Sequence, residues 1–386
     1  MPRPRFCRNL RCPNATRTSP GWLIRDGTYP TLAHGKVQRY RCRACGHSIS
    51  DQSESMHYHA KLRLDLQAIF SRLRGGSSLR DIGRELSCSR TAVANAVLRL
   101  GRQAMASHAH LVSGLDVQAS FAFDGLLSAV TSRDYPSQIT TLAECSHEML
   151  LAMSHAVGER GGTRTPGQLS RIELKRQVWR PGGGALRESI SQLVEELPRF
   201  AGTSAITLVT DEHPLYRWVI DHDVAMSWYR HNGRLHHTRI ASTAPRSVAN
   251  PLFALNYLDR MIRHRLKEHT RESIAIGRSA TMQMHRMWIF AWDHNVRQPY
   301  RVGDSRSVSR AVTAGASSDV VRRLQREFST RRQSLRGLRL PQTMRQVWLG
   351  QLDSPPVRWK VGQKRRGPQI RMYAKLDLRF AHPHGQ

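Results

Sequence analysis

Acidic residues are scarce in this chain: 29 Asp plus Glu stand against 60 Lys plus Arg, leaving a formal charge of +31 over 386 residues. Such an excess repels itself unless a polyanion is at hand, and nucleic acid is the obvious one. Long apolar runs are also missing. Met287 to Trp292 is among the longest, far short of the roughly 20 residues that span a bilayer, so a spanning protein is excluded and a membrane partner is not expected. The basic start Met1-Pro2-Arg3-Pro4-Arg5-Phe6 has no apolar stretch behind it and does not read as a secretory signal; a cytoplasmic, nucleoid-associated protein is expected. Cysteines number six, too few for a disulfide scaffold, and four fall in pairs near the N-terminus, which points to a metal.

The length allows two or three domains of roughly 100–200 residues each. Residues 1–56, rich in Arg, Gly and Pro, read as a small unit held by something other than a core. From Leu62 the spacing turns helical: Leu62, Leu66, Ile69, Phe70 and Leu73, a break at Gly75-Gly76, then Leu79, Ile82 and Leu86 behind a cap at Ser77 or Ser78. A third helix starts after Ser89, carries Val93, Val97 and Leu100, and is expected to end at Gly101, which gives a three-helix unit over residues 57–108. Phe121 to Leu127, Ile139 to Leu142 and Met149 to Val157 read as an antiparallel meander. Residues 158–184, broken by Gly161-Gly162, Pro166-Gly167 and Pro181-Gly182-Gly183-Gly184, read as a basic, flexible arm without a core. Leu186, Ile190, Leu193, Val194 and Leu197 then mark a helix, Ala205 to Val209 a buried strand ending at Thr210-Asp211, Arg230 to Ala249 a polar stretch, and Leu252 to His269 and Ala280 to His294 two further helices. Residues 115–300 are thus expected to form an α/β domain with a mixed sheet. Residues 301–386 read as a basic C-terminal extension, with a helix-like stretch from Asp319 to Phe328 and a charged end at Lys364-Arg365-Arg366.

Cys7 and Cys12, then Cys42 and Cys45, form C-x4-C and C-x2-C knuckles about thirty residues apart, with Gly46 supplying a loose backbone. Four thiolates so arranged can close a tetrahedral shell around structural Zn²⁺; ordinary buried thiols or a redox pair are the alternative. Cys88 and Cys145 lack a partner pattern and read as packing residues. Ser78 to Leu86 followed by Ser87 to Val93 has the shape of a helix-turn-helix, whose second helix would put Ser89, Arg90, Thr91 and Asn95 at base edges. A plain three-helix packing unit is the other reading.

Asp124 follows the apolar run Phe121-Ala122-Phe123, and Asp211 closes Ile206 to Thr210. Acids delivered by two neighbouring strands can share divalent ions and cut a phosphodiester. A lone Asp after a strand also serves as a turn or cap residue, and Asp211 could cap the next helix. The third acid should come from the helix after Leu252, where Asn256, Asp259 and Arg263 form a polar stripe beside Leu255, Leu258, Ile262 and Leu266. Asp259 is preferred, an ion pair with Arg263 being its alternative role. Glu268 falls on the opposite face, and Glu272 is kept in reserve.

These residues resemble bacterial insertion-sequence transposases of the zinc-ribbon, RNase H-like type with a triad of acids, close to the group named after insertion sequence one. The resemblance covers roughly residues 5–300. It rests on Val37 to Gly46, Phe123-Asp124-Gly125-Leu126, Thr210-Asp211-Glu212-His213-Pro214-Leu215-Tyr216, Asn250-Pro251-Leu252-Phe253 running into Asn256-Tyr257-Leu258-Asp259, and Arg271-Glu272-Ser273. It implies an RNase H-like catalytic domain that cleaves and transfers DNA strands at terminal inverted repeats, with Asp124 and Asp211 as the first two ligands of Mg²⁺ or Mn²⁺; Asp259, from the reading of its helix, is taken as the third. It also implies double-stranded DNA ends and target DNA as partners, and a homodimer or larger assembly on DNA. Two positions depart from the pattern: Leu127 stands where the family commonly has Glu, and the usual glutamate of the third-acid helix falls near Asn256. A catalytically inactive DNA-binding regulator derived from a transposase is the first rival, and a recombinase with a serine or tyrosine nucleophile the second.

Overall fold

The computed structural model describes residues 3–113, 115 and 119–357; the charged end at Lys364-Arg365-Arg366 lies outside them. The N-terminal lobe is a three-stranded antiparallel sheet of β1 (Leu23–Thr31), β2 (Gly35–Cys42) and β3 (Ser48–Ser50), in that order. Gly35, at φ 63°, closes the β1–β2 turn. The lobe's apolar cluster is small, and three of its members are Cys7, Cys12 and Cys42. So slight a core cannot hold a fold by burial alone.

Three helices follow. Asp65 caps α1 (Leu66–Arg74), Ser78 caps α2 (Leu79–Glu85) and Ser89 caps α3 (Arg90–Val112), each by accepting a backbone N–H of the first turn. The α2–α3 turn is tight: a Cβ on Gly83 would stand 2.8 Å from the Cys88 carbonyl. The third helix does not end at Gly101 but runs eleven residues further, to Val112. A Cβ at 101 would lie 2.3 Å from His285 Nδ1, so the glycine that reads as a stop signal is there to let a second helix approach.

The second sheet contains β4 (Ser120–Val130), β5 (Ser132–Glu144), β6 (Met149–Val157), β7 (Ile206–Asp211) and β8 (Leu235–Ile240), ordered β6-β5-β4-β7-β8. The first three form the expected antiparallel meander, while β7 lies parallel to β4 and β8 parallel to β7. Between β6 and β7 lie α4 (Pro166–Val178), α5 (Ala185–Val194) and α6 (Leu197–Ala201); α7 (Pro214–His222) and α8 (Val224–His231) join β7 to β8. The remaining helices are α9 (Phe253–Arg265), α10 (Ala280–Trp292), α11 (Arg310–Thr313), α12 (Ser318–Glu327) and α13 (Gln342–Leu349). Alternate residues of β4 face opposite ways: Phe121 and Phe123 meet Phe200 of α6 and Tyr216 of α7, whereas Ser128 hydrogen-bonds His269, just beyond α9.

Two other expectations are corrected. The arm at 158–184 contains α4, capped by Thr165 and packed through Ile172 and Trp179; Asp134 anchors it, taking Arg171 at 3.0 Å as well as Lys175. Opposed by burial, Lys175 and Arg171 hold the Asp134 carboxyl down at about 2. The polar stretch after Arg230 contains β8, an edge strand whose outward residues are His and Arg rather than apolar. One continuous core joins α1–α3, the second sheet and α9–α13, with Phe70, Trp288 and Trp348 among its largest buried members; burying such a side chain contributes about 1.5–3 kcal/mol. Asp293 stitches it further, pairing with Arg74 of α1 at 2.8 Å and Arg265 of α9 at 2.7 Å. Among the described residues no helix is long and apolar enough to cross a membrane.

Candidate metal and nucleic-acid sites

The four N-terminal cysteines converge, with their sulfur atoms all within 4.8 Å of one another. Cys7 and Cys45 are 3.5 Å apart and Cys12 and Cys42 3.7 Å, with Cys45 the most open of the four. Asn14 donates its side-chain amide to Cys42 Sγ at 3.6 Å. Burial raises the Cys42 thiol, but the Asn14 amide and the backbone N–H groups of Cys45 and Ala44 outweigh it and bring the thiol down to about 7. Burial holds Cys7 and Cys12 above the ordinary thiol value. Thiols this close, with no disulfide between them, are what a tetrahedral cation relieves, and the set can hold a zinc ion.

A second convergence lies at the C-terminal end of the parallel strands. The last β4–β7 pair is Phe123 with Thr210, so Asp124 and Asp211 occupy the next position on adjoining strands, whose spacing is about 4.8 Å. Asp124 accepts from the Gly125 N–H at 2.6 Å, and Asp211 from the His213 N–H at 2.9 Å, so Asp211 also fills the turn role open to it. Asp259 comes from α9, which packs on β4 and β5 through Leu255, Leu258 and Ile262. Asp124 feels the other two acids: burial first, then Asp259 and Asp211, push its carboxyl up to about 7 against the Gly125 N–H and Arg246. Burial raises Asp259 too, opposed by Arg263, Arg246 and Arg271. Its ion pair with Arg263 is present at 3.7 Å. The acids do not close as tightly as the thiols; among the described residues the cysteines are the set whose ligating atoms all come within 4.8 Å.

The reserve and rival acids have other settings. Glu272 is exposed on left-handed backbone at φ 57°, and Glu268 is buried against Arg286 at 2.7 Å. Leu127, which stands where the resembled transposases commonly have Glu, is 65% exposed, and Asn256 sits one turn before Asp259 on α9.

Sequence reasoning gave no role to the groups lining the acids. Tyr216 is buried beside all three, and burial and their charges raise its phenol. Gln138 of β5 donates to its hydroxyl at 3.3 Å. Both close over Gly125, where a Cβ would stand 2.3 Å from Gln138 Nε2 and 2.9 Å from the Tyr216 hydroxyl. Gly125 and Tyr216 stand within the motifs that carry the resemblance, one directly after an acid and the other five residues past another, whereas Gln138 gives no such signal.

Of the residues proposed to meet DNA, Ser89, Arg90 and Thr91 are exposed at the start of α3 and Asn95 is half-buried. The Ser89 hydroxyl is used as a cap, accepting from the Ala92 N–H at 3.1 Å. Cys88 and Cys145 stand apart from the metal set and pack against the core.

No family model matches the chain. It is similar to a protein of Halobacterium salinarum described as an uncharacterized protein in transposable element ISH50, with 27% identity over 136 residues, which make up 35% of this chain and 43% of the relative. The match thus spans less than half of the relative's length, and it links the chain to proteins carried by insertion-sequence elements.

Proposed function

We propose that the protein is an insertion-sequence transposase that binds terminal inverted repeats and carries out metal-dependent DNA strand cleavage and transfer through Asp124, Asp211 and Asp259. The observation that carries this reading is the register of β4 against β7, which sets two acids side by side at the ends of adjoining parallel strands, with α9 supplying a third. An antiparallel meander followed by two parallel strands is consistent with an RNase H-like domain, and the N-terminal lobe and α1–α3 with a zinc ribbon and a helix-turn-helix.

A buried Asp124 carboxyl raised further by the two neighbouring acids suits a divalent cation, which removes the repulsion. Mg²⁺ or Mn²⁺ held there would activate the attacking oxygen and steady the leaving one. The chain's own residues supply the rest. Tyr216, with its proton held firmly, can only donate toward the acids or an oxygen bound among them. Arg246 and Arg271, exposed beside Asp259, draw phosphates toward the acids. Ser89, Arg90, Thr91 and Asn95 would read base edges. Joining two DNA ends calls for at least two copies, and a cytoplasmic, nucleoid-associated setting follows from the substrate.

The test is cleavage of duplexes carrying the DNA that flanks the gene. Nicking or joining with Mg²⁺ or Mn²⁺, lost in Asp124→Ala and Asp211→Ala, supports the proposal; cleavage that survives both sinks it. The Asp259–Arg263 pair, together with Asn256 in place of a glutamate, favours a second reading, a non-cleaving DNA-binding regulator. That reading expects specific binding to the same duplexes with no metal-dependent product.

A further inference from the structure

A cavity of about 400 Å³ opens between the cysteine lobe and the segment after α12, and it shares no lining residue with the aspartates. Six guanidinium groups line it, those of Arg5, Arg8, Arg323, Arg331, Arg332 and Arg336, beside a single lining carboxylate, Glu54. Its volume falls within the roughly 300–1,000 Å³ of ordinary ligand sites.

Several of the six are already fixed in place. Arg331 pairs with Glu54 at 2.8 Å and Arg5 with Glu327. Arg8 donates to the Ser53 carbonyl and Arg336 to the Cys7 carbonyl, the latter at 3.0 Å; backbone carbonyls orient a guanidinium without cancelling its charge. The Nε of Arg323 is buried and has no hydrogen-bond partner. A buried donor of this kind is costly unless a partner arrives, and six guanidinium groups against one lining carboxylate leave an excess of positive charge that an anion relieves.

We propose that this cavity binds a phosphate group, gripped from one side by the N-terminal lobe and from the other by Arg323 and the 331–336 segment. Phosphate fits the donors: its oxygens point in every direction, and planar guanidinium forks take them two at a time. The phosphate can belong to a nucleic-acid strand or be free in solution, and both sources present the same oxygens. Either way, the ligand ties the cysteine lobe to the body.

The experiment titrates the full-length, zinc-loaded protein by calorimetry with inorganic phosphate, and separately with a DNA duplex with and without a 5′ phosphate, at ionic strength held constant by chloride. Arg323→Gln is expected to weaken binding about tenfold or more, and Arg323→Lys, which keeps the charge but loses the fork, by less. Arg322→Gln, on the exposed side of α12, should bind like the wild type, and retained zinc and an unchanged circular dichroism spectrum check folding. A response to inorganic phosphate assigns the site to the free anion; a response to DNA alone assigns it to a strand phosphate. Binding of both ligands unaltered by Arg323→Gln and Arg323→Lys, or no binding of either, overturns the proposal. Cleavage is not the readout, so the site and the proposed enzyme can fail separately.

Discussion

The cysteine set and the aspartate set solve opposite problems. In the N-terminal lobe the ligands are much of the core: three of the four cysteines belong to its apolar cluster, and little else is buried. In the body the core is large and continuous, and the acids are perched at its edge by two strands and a helix that would fold in any case. A metal at the first site is therefore structural by necessity, whereas a metal at the second relieves a repulsion that a stable scaffold imposes. The first site closes its ligands to within 4.8 Å of one another. The second holds its acids further apart, as rigid elements dictate.

The largest effect that sharpens this contrast is removal of zinc. A structural zinc contributes on the order of 10 kcal/mol to a small fold, so a strong chelator, or Cys42→Ser, should unfold residues 3–56 and leave the body intact. Hydrogen exchange would show β1 and β2 losing protection while β4–β6 keep theirs; simultaneous loss in both regions would break the comparison.

Next come the acids. Asp211→Ala should cost DNA cleavage on the order of 10³-fold, equivalent to several kcal/mol of lost transition-state stabilisation, with only the small stability loss, about 1 kcal/mol, of its hydrogen bond to the His213 N–H. A large fall in melting temperature would mean that the acid is structural. Smaller still is Gly125→Ala, whose Cβ would meet Gln138 and the Tyr216 hydroxyl; overpacking of that kind costs about 1–3 kcal/mol, readable by denaturant unfolding, and it should impair cleavage as well.

A further effect is one of pH, in metal-free protein. The Asp124 carboxyl is raised from 3.8 to about 7, so between those values the native state holds a proton that the unfolded chain has lost, and stability falls as pH rises through that window. Asp124→Asn should therefore raise the melting temperature more at pH 8 than at pH 4. Equal gains at both would mean that burial and the neighbouring acids do not raise the Asp124 carboxyl.

How much of this was readable beforehand follows from where each signal resides. The cysteine knuckles and the meander β4–β6 are local patterns, and Asp124 and Asp211 could be picked out because each ends an apolar run. The α3 helix was cut short at Gly101, since a glycine needed for close approach to His285 looks in one dimension like a terminator. The β8 strand, Leu235-His236-His237-Thr238-Arg239-Ile240, was missed because an exposed edge strand carries no apolar alternation. The α4 helix hid among glycines and prolines, and what anchors it is Asp134, about forty residues away in sequence. Tyr216 and Gln138 acquire a place beside the acids only through the packing of α7 and β5 over Gly125.

The central claim is that Asp124, Asp211 and Asp259 bind one divalent centre together. Its most direct measurement is Mn²⁺ binding to the zinc-loaded protein, followed by electron paramagnetic resonance, in the wild type and in the three single Asp→Asn variants. The account predicts a protein-bound Mn²⁺ signal that all three substitutions weaken, each by about tenfold or more, since each removes a charged ligand worth at least about 1.4 kcal/mol. Undiminished binding in Asp259→Asn, or no bound Mn²⁺ in the wild type, would contradict it.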